Sequence, residues 1–351
     1  MRDLLARALT LLPPETAHSA ALWGLKSGFA PKAADAPDPV LRTALAGLEL
    51  DHPVGLAAGF DKNAEAPDAL LRAGFSFVEV GAVTPQPQAG NPQPRLFRLR
   101  DERAVINRMG FNNAGLDVVK ARLEARQDAP EPGVVGVNLG ANKDSADRAG
   151  DYAVLLKTLS GLADFFTVNV SSPNTAGLRD MQTGQALDDL LARVNDARWA
   201  EPVFLKLAPD LPDEAVEPIV ETAARHRISG LIVSNTTLAR PDGLTSPRRA
   251  EQGGLSGPPL FERSTALLRA FRRAAGPDLP LIGVGGVDGP QTAYAKIRAG
   301  ANAIQLYTAL VYQGPGLALR IRDGLADLLK ADGFDRLSDA VGADLQAGGP
   351  A

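Results

Sequence analysis

Eight short apolar segments, separated by segments of helical periodicity, constrain the fold more than any other feature of this sequence. They are rich in Val, Ile, Leu and Phe, as is typical of strands that are buried on both faces. The eight segments are Val54–Ala58, Phe77–Gly81, Val134–Leu139, Phe165–Val170, Val203–Leu207, Gly230–Ser234, Leu281–Val284 and Ala303–Leu306. Their alternation with helices predicts a closed parallel α/β barrel of the (β/α)8 TIM type.

Helical patterns lie between most of these strands, for example at Ala66–Ala73, Ala186–Asn195, Asp213–His226 and Gln291–Ala299. The alternative fold is an open, doubly wound sheet, which favours a Gly-x-Gly-x-x-Gly turn after the first strand. Here the first strand leads to Ala58-Gly59-Phe60-Asp61-Lys62 instead, which favours the barrel.

The length of 351 residues and the 45% hydrophobic content suit one barrel with additions. We expect an N-terminal helical extension over 1–40, the barrel over 41–340 and a disordered tail over 341–351. The connections Thr84–Asn113 and Thr236–Pro259 are longer than a plain barrel needs, and long loops tend to be functional. Within the first of them, Arg95–Leu99 is predicted to pair with Ala104–Ile106 as a hairpin over the barrel mouth.

Composition excludes several classes of function. A net charge of −4 argues against nucleic acid as the main partner. With no cysteine and three histidines, we expect no disulfide, no metal site and no thiol chemistry. The sequence has no apolar run long enough to span a bilayer, and its start does not resemble a secretion signal.

The N-terminal segment predicts two short amphipathic helices. Leu4–Leu12 is apolar at helical spacing, Pro13-Pro14-Glu15 interrupts it, and a second helix follows. The apolar residues of that second helix are Ala17, Ala21, Leu22, Leu25 and Phe29. Periodicity alone favours an arm packed on the barrel, and the alternative is a surface that enters lipid, with Trp23 compatible with both.

Polar side chains collect where the predicted strands end. Val168–Thr175 places two asparagines, two serines and a threonine around a proline, more hydrogen-bonding groups than a helix cap needs. The alternative for this segment alone is a serine-rich cap. Because barrels build active sites from the carboxyl ends of their strands, we expect a site for a small polar molecule. Other strand ends add Lys62, Asn138, Ser234, Asn235 and Thr236.

Lys206 is predicted to point into the barrel, because alternation puts it on the same face as Phe204 and Ala208. A buried ammonium needs an anion, which is either a buried carboxylate or a bound ligand. The neighbouring strands offer no inward carboxylate, which favours a ligand. The turns Gly285-Gly286 and Tyr307-Thr308 lie where barrels often bind phosphate, so a phosphate-bearing cofactor is expected.

Several long motifs resemble the dihydroorotate dehydrogenase family, and more narrowly its quinone-dependent, membrane-associated class (EC 1.3.5.2). They are Ala57–Lys62, Asn107–Asn113, Asn169–Thr175, Asn235–Thr237 and Gly283–Gly286. The resemblance extends from the N-terminal helices to about residue 330. It implies oxidation of (S)-dihydroorotate to orotate in pyrimidine biosynthesis, with electrons passing through FMN to a membrane quinone.

The resemblance also implies residue roles. Ser172 would be the base that removes a proton from C5, and Thr175 and Phe111 would help to pass that proton to solvent. FMN would contact Ala58, Gly59, Asn138, Asn169, Lys206, Ser234, Gly257, Gly286, Tyr307 and Thr308. Dihydroorotate would be held by Lys62, Asn107, Arg108, Met109, Gly110, Phe111, Asn169, Asn174, Asn235 and Thr236. Lys62 would face the substrate carboxylate, and Lys206 would stabilise reduced flavin.

Ser172 distinguishes between the classes of the family, because the soluble class uses cysteine as this base and this chain has no cysteine. Ala82 and Ser234 depart from the threonines that the family often carries there. The N-terminal helices resemble the membrane-docking extension of the family, and this resemblance reverses the preference for an arm packed on the barrel. It implies peripheral association with the cytoplasmic face of a bacterial inner membrane. The alternatives are a soluble-type enzyme that uses fumarate or NAD, and a non-catalytic flavin-binding barrel.

Overall fold

The computed structural model describes residues 9–28, 33, 35–128 and 131–346, and it confirms the closed parallel barrel. The strands are, in chain order, β1 (Thr43–Leu45), β2 (Leu48–Leu50), β3 (Val54–Leu56), β4 (Phe77–Val83), β5 (Leu96–Leu99), β6 (Ala104–Asn107), β7 (Val134–Leu139), β8 (Phe165–Asn169), β9 (Val203–Leu207), β10 (Gly230–Val233), β11 (Gly254–Ser256), β12 (Leu281–Val284) and β13 (Ala303–Leu306). The barrel closes in the order β3, β4, β7, β8, β9, β10, β12, β13, with neighbouring strands parallel.

Helices connect the barrel strands and cover the outside of the barrel. They are α1 (Pro14–Lys26), α2 (Pro67–Arg72), α3 (Leu116–Gln127), α4 (Arg148–Leu159), α5 (Gly184–Ala197), α6 (Val216–Arg225), α7 (Phe261–Ala275), α8 (Pro290–Arg298), α9 (Thr308–Gln313), α10 (Leu317–Ala331), α11 (Leu337–Ala340) and α12 (Ala343–Gln346). Helix α5 illustrates their packing, because Leu187, Leu190, Leu191 and Val194 recur at helical spacing and are all buried.

The strand predictions agree with the structure. Strands β7, β9, β12 and β13 have the predicted bounds, and the other four barrel strands differ only at their carboxyl ends. Those ends turn into the loops of the site, where polar residues replace the apolar run. The predicted hairpin is also present as the antiparallel pair β5 and β6, and β11 from the second long connection adds a third strand to it.

The barrel interior below the strand ends is aromatic. The rings of Phe77, Phe165 and Phe204 pack edge to face, with centroids 6.4 Å and 5.5 Å apart. Gly55 and Gly136 make room for them, because a Cβ at either position would overlap a phenylalanine ring. The hairpin of β1 and β2 packs Leu45 and Leu50 against this cluster and closes the amino-terminal end of the barrel. This hairpin is not among the predicted elements.

Helix α1 lies against the barrel with one side and exposes apolar residues on the other. Ala17 and Leu25 are buried, whereas Trp23 is 66% exposed, and Leu11, which precedes the helix, is 77% exposed. Arg95 holds the helix through an ion pair with Glu15, whose closest N–O distance is 3.0 Å. None of the helices in the described ranges is long and apolar enough to cross a membrane. Most of the predicted helix Leu4–Leu12, together with Phe29, lies outside the described residues.

The prediction of a disordered tail over 341–351 is wrong for its first part. Residues 343–346 form α12, and Asp344 of this helix pairs with Arg298 of α8 at 2.7 Å. Residues 347–351 lie outside the described part of the chain. The tail sequence lacks long apolar runs, so its local pattern did not predict a helix. The ion pair between Asp344 and Arg298 helps to anchor this helix.

Replacing Arg272 with methionine is expected to lower the free energy of unfolding by about 3–5 kcal/mol. The buried Arg272 side chain donates hydrogen bonds to the carbonyl oxygens of Gly276, Leu279 and Gly300 and to the Asn302 side chain. Methionine would remove all of these bonds, including both buried ones to the Gly300 carbonyl oxygen, whereas Asn302 Oδ1 would keep the Leu281 N–H as a donor. Chemical denaturation of both variants measures the effect, and Arg273→Met on the exposed side of the same helix is the control, expected within about 0.5 kcal/mol of the parent.

Candidate functional site

One continuous cavity of about 1330 Å³ extends from the carboxyl ends of the barrel strands to the inner side of α1. It brings together most of the residues that the sequence analysis assigned to a site. The predicted site residues that line it are Ala58, Gly59, Lys62, Asn107, Met109, Asn138, Asn169, Lys206, Ser234, Asn235, Thr236, Gly257, Gly286, Tyr307 and Thr308. The α1 end of the cavity is lined mainly by apolar residues such as Leu9, Ala21, Leu22 and Leu25.

Ser172 and Asn174 lie on the loop that follows β8, next to the cavity rather than in its lining. Ser172 is 5% exposed, and its Oγ accepts a hydrogen bond from the Asn174 backbone N–H at 3.3 Å. The Asn174 amide donates to Asn107 Oδ1 at 3.3 Å, which joins this loop to a residue of the lining. The loop therefore lies close to the polar half of the cavity.

Three further predicted residues, Arg108, Gly110 and Phe111, do not line the cavity. The Arg108 guanidinium pairs with Glu251 at 2.9 Å and stacks over the ring of Phe97 at 4.5 Å from its centroid. Gly110 and Phe111 have positive φ angles of 73° and 54°, so this stretch makes a sharp turn beside Asn107. Gly110 and Phe111 therefore determine the shape of the loop that follows Asn107.

A chain of side-chain amides runs across the polar end of the cavity. Asn169 Nδ2 donates to Asn138 Oδ1 at 2.9 Å, and Asn138 Nδ2 donates to Glu79 Oε1 at 2.5 Å. On the other side, Ser171 Oγ donates to Asn169 Oδ1 at 2.9 Å and accepts from Asn235 Nδ2 at 2.9 Å. The strand-end asparagines are thus one hydrogen-bonded network and not separate turn caps.

The expectation that Lys206 lacks a carboxylate partner is wrong. Its Nζ lies 3.9 Å from Glu79 Oε2, and both side chains are buried. The prediction rests on the two strands adjacent to β9, which are β8 and β10, whereas Glu79 belongs to β4. Closure of the barrel brings inward side chains of non-adjacent strands together, and Glu79 shares the inner face of β4 with Phe77.

Lys62 is held by a rigid turn after β3. The buried carboxylate of Asp61 accepts backbone N–H groups of Asn63, Glu65 and Ala66, at 3.3, 2.8 and 2.8 Å. Lys62 Nζ donates to the Gly59 carbonyl oxygen at 2.8 Å. Burial lowers the pKa of Lys62 to about 8, and Glu15 opposes this shift. Lys62 is therefore a cation at neutral pH that loses its charge in mildly alkaline solution.

Three buried oxygen atoms of the lining have no hydrogen-bond partner within the described part of the chain: Asn112 Oδ1, Thr236 Oγ1 and Gln305 Oε1. Buried polar atoms are nearly always paired, so these atoms indicate a ligand that carries hydrogen-bond donors. Elsewhere in the lining, Gly257 and Gly286 have φ angles of 98° and 76°, and a Cβ at Gly286 would overlap Phe261. Backbone therefore lines the cavity at these two positions.

Aromatic rings line the cavity where His18 of α1 meets the strand ends. Phe60 packs edge to face against Tyr307 and His18, with centroids 5.6 Å and 5.3 Å apart. Burial lowers the pKa of His18 to about 3, and the neighbouring Lys62 adds to the shift, so His18 is neutral at physiological pH. His18, Glu79 and Gln305 are not among the predicted site residues. For Glu79 and Gln305, the only indication in the sequence is that alternation along β4 and β13 points their side chains into the barrel.

Comparison with known proteins gives a consistent result. The family model described as dihydroorotate dehydrogenase matches residues 40–329. Dihydroorotate dehydrogenase (quinone) of Parvibaculum lavamentivorans is 56% identical over 345 residues, 97% of this chain and 98% of that protein. The protein of the same name from Sinorhizobium fredii is 53% identical over 341 residues, 95% of this chain and 93% of its own length. A crystal structure of Eimeria tenella DHODH in complex with ferulenol has a TM-score of 0.90 at 40% identity and covers 95% of this chain and 96% of its own.

Proposed function

The chain belongs to the dihydroorotate dehydrogenase family, and we propose that it oxidises (S)-dihydroorotate to orotate in pyrimidine biosynthesis and passes the electrons to a quinone. The observation that carries this proposal is the continuity of the cavity. Its polar end has the lysines and amides that suit a charged, planar heterocycle, and its other end is apolar and lies under α1. One cavity with two chemically different ends suits a reaction with a polar donor and a lipophilic acceptor.

The cofactor in this proposal is FMN, which fits the residues that are present. Asn138, Asn169 and Lys206 offer donors and acceptors for the heterocycle, and the unpaired Gln305 Oε1 offers an acceptor for a ring N–H. Backbone at Gly257 and Gly286, with Thr308, suits the phosphate. The remaining proposed contacts are Ala58, Gly59, Ser234 and Tyr307. When bound, FMN supplies a group that accepts a hydride from the substrate and that a quinone can reoxidise.

The substrate in this proposal lies between Lys62 and the network of asparagines. Lys62 binds the carboxylate of dihydroorotate, and Asn107, Asn169, Asn174, Asn235 and Thr236 bind its ring amides. Ser172 takes the C5 proton, because its loop adjoins Asn107 and Asn169. The other serine of this loop, Ser171, uses its hydroxyl to join Asn169 to Asn235. The hydroxyl of Thr175 passes the proton on from Ser172 towards solvent, and the ring of Phe111 borders this route. Met109 lines the wall, and Arg108 and Gly110 keep its loop in shape.

The quinone in this proposal enters beneath α1. Leu9, Leu22 and Leu25 line that end of the cavity, while Leu11 and Trp23 are exposed on the outer side. An apolar outer surface beside an apolar entrance suits peripheral association with a bilayer, from which a lipophilic quinone reaches the cavity. We place this association at the cytoplasmic face of a bacterial inner membrane.

The experiment that tests the function uses the purified holoenzyme. Anaerobic dihydroorotate should bleach the flavin absorbance, and addition of a quinone analogue should restore it. A yellow protein that dihydroorotate does not bleach would instead be a non-catalytic flavin-binding barrel. Reoxidation by fumarate or NAD, and not by quinone, would identify the soluble type of enzyme.

Membrane association is tested by removing residues 1–32. The truncated protein should retain bleaching by dihydroorotate, but its KM for quinone should rise by about ten-fold or more, because part of the apolar wall is lost. Steady-state quinone reduction with and without phospholipid vesicles measures the effect. An unchanged KM and no stimulation of the full chain by lipid would contradict the role of the N-terminal extension.

The value of kcat/KM for dihydroorotate is expected to fall as the pH rises through about 8, the pKa to which burial lowers Lys62. The ammonium is present below this pH and absent above it, so the substrate carboxylate loses its counter-ion on the alkaline side. The measurement is the pH profile of kcat/KM. Lys62→Arg should remove the alkaline fall, because arginine stays charged. A flat parent profile across this pH would show that Lys62 does not bind the carboxylate.

A further inference from the structure

Glu79 is a buried carboxylate inside the barrel that the proposed reaction leaves without a role. It lies on β4 with 0% exposure, above the aromatic cluster that Phe77 belongs to. Its Oε1 accepts a hydrogen bond from Asn138 Nδ2 at 2.5 Å, and its Oε2 accepts one from Gln305 Nε2 at 2.7 Å. Lys206 Nζ lies 3.9 Å from the same Oε2. Removing a carboxylate from water is costly, so its retention here requires these three partners.

The first consequence concerns the orientation of amides. An ionised carboxylate only accepts hydrogen bonds, so it draws the N–H ends of Asn138 and Gln305 toward itself. The oxygen of Asn138 then points away and accepts from Asn169 Nδ2, at 2.9 Å. The oxygen of Gln305 is buried without a partner in the described part of the chain and belongs to a residue that lines the cavity. Glu79 thereby determines which ends of these amides face a ligand.

The second consequence concerns charge. A carboxylate 3.9 Å from Lys206 offsets much of the field of that ammonium, and in a buried site the effect is stronger than in water. Lys206 lines the cavity, whereas Glu79 lies behind it and does not. The wall at Lys206 therefore presents less positive potential to a ligand than an isolated ammonium would.

We propose that Glu79 is a positioning residue that orients Asn138 and Gln305 and offsets the charge of Lys206, and that it thereby sets the affinity and the reduction potential of bound flavin. This inference rests on the proposed FMN cofactor. The direction of the effect on potential follows from charge, because reduced flavin at neutral pH is an anion and Glu79 limits the attraction that Lys206 exerts on it.

The decisive variant is Glu79→Gln, which keeps the size of the side chain and removes its charge. The midpoint potential of bound flavin should become more positive, since Lys206 is no longer offset. We expect the ratio of the Kd for oxidised to that for reduced FMN to rise about ten-fold, equivalent to about 30 mV for two electrons. The measurement is an anaerobic redox titration against a reference dye. A merely structural role would lower stability without moving the potential.

Thr167→Val is the matched control. Thr167 is fully buried on β8, on the inner face that Phe165 also occupies, and its hydroxyl has no partner within the described residues. Valine has nearly the same shape and removes a neutral polar group from the same interior. The potential of this variant should equal that of the parent, and a shift as large as that of Glu79→Gln would overturn the electrostatic account.

Gln305→Leu tests orientation independently of charge. It removes the acceptor that Glu79 turns toward the cavity and one donor to Glu79, which keeps its charge and its contacts with Asn138 and Lys206. FMN affinity should fall about ten-fold, as for loss of one buried hydrogen bond. If Glu79→Gln does not fold, Gln305→Leu still tests the orientation part of the inference. Unchanged FMN affinity in Gln305→Leu, or an unchanged potential in flavin-loaded Glu79→Gln, would refute the inference. A parent protein that binds no FMN would refute the proposed function instead.

Discussion

Ser172→Ala is expected to lower the rate of flavin reduction by dihydroorotate at pH 7 by about 10²- to 10⁴-fold, while FMN stays bound. Alanine removes the only hydroxyl that we assign to the C5 proton. The flavin contacts proposed here lie on other residues. Alanine removes the acceptor of the Asn174 backbone N–H, but the contacts through the side chains of Asn169, Asn174 and Arg179 still hold the loop. The loss should therefore concern chemistry and not binding.

The measurement for Ser172→Ala is anaerobic stopped-flow absorbance of the flavin, which isolates the reductive half-reaction. Ser172→Cys provides the matched comparison, because a thiol has a pKa near 8.5 and can also act as a base. Ser172→Cys should recover part of the rate of flavin reduction and change its pH dependence. Ser172→Ala should reduce the flavin slowly at all pH values near neutrality. Reduction of Ser172→Ala at the parental rate would remove Ser172 from the mechanism.

The sequence predicted the barrel well because the information for it is local. Each barrel strand is a short run of residues buried on both faces, and the run ends where polar groups begin, so four of the strands have the predicted bounds. The hairpin of β1 and β2 lacked such a signal. Its strands have three residues each, and its position depends on Leu45 and Leu50 filling the barrel end, which is a tertiary contact.

In the site, too, residues with a local sequence pattern were predicted and residues placed by tertiary contacts were not. Residues at strand ends, such as Asn138, Asn169 and Lys206, were predicted because topology alone brings those ends together. His18 and Glu79 were missed because their place depends on how distant segments meet: α1 folds back over the barrel mouth, and β4 lies across the barrel from β9. An isolated histidine or glutamate has no local pattern that would reveal this.

A second large effect is expected at Arg179, which ties three loops of the site together. Its Nε donates to the Ser171 carbonyl oxygen at 3.1 Å and its NH2 group to the Thr236 carbonyl oxygen at 2.9 Å. Its NH1 group pairs with Asp210 at 2.8 Å. Burial raises the pKa of Asp210, but hydrogen bonds from Thr237, Leu238 and Arg179 outweigh burial and hold it below the usual range. The loops after β8, β9 and β10 thus share one charged anchor.

Arg179→Met should slow flavin reduction by dihydroorotate about 10- to 100-fold and raise the KM for dihydroorotate, because the Ser172 loop loses its tie to the loop of Thr236. Reoxidation of the flavin by quinone should keep its rate, since Arg179 does not line the cavity that the quinone enters. The comparison of the two half-reactions separates an effect on the loop from a general loss of structure.

Two variants make the Arg179 experiment specific. Arg179→Lys keeps the charge but not the planar fork that reaches two carbonyl oxygens and a carboxylate at once, so it should recover only part of the rate. Arg193→Met breaks a solvent-exposed ion pair with Asp147, with side chains 51% and 61% exposed, and should leave both half-reactions unchanged. Equal slowing of both half-reactions in Arg179→Met would indicate general damage and contradict the positioning role. A selective loss would mean that the proton-accepting loop depends for its geometry on a residue that never touches the substrate.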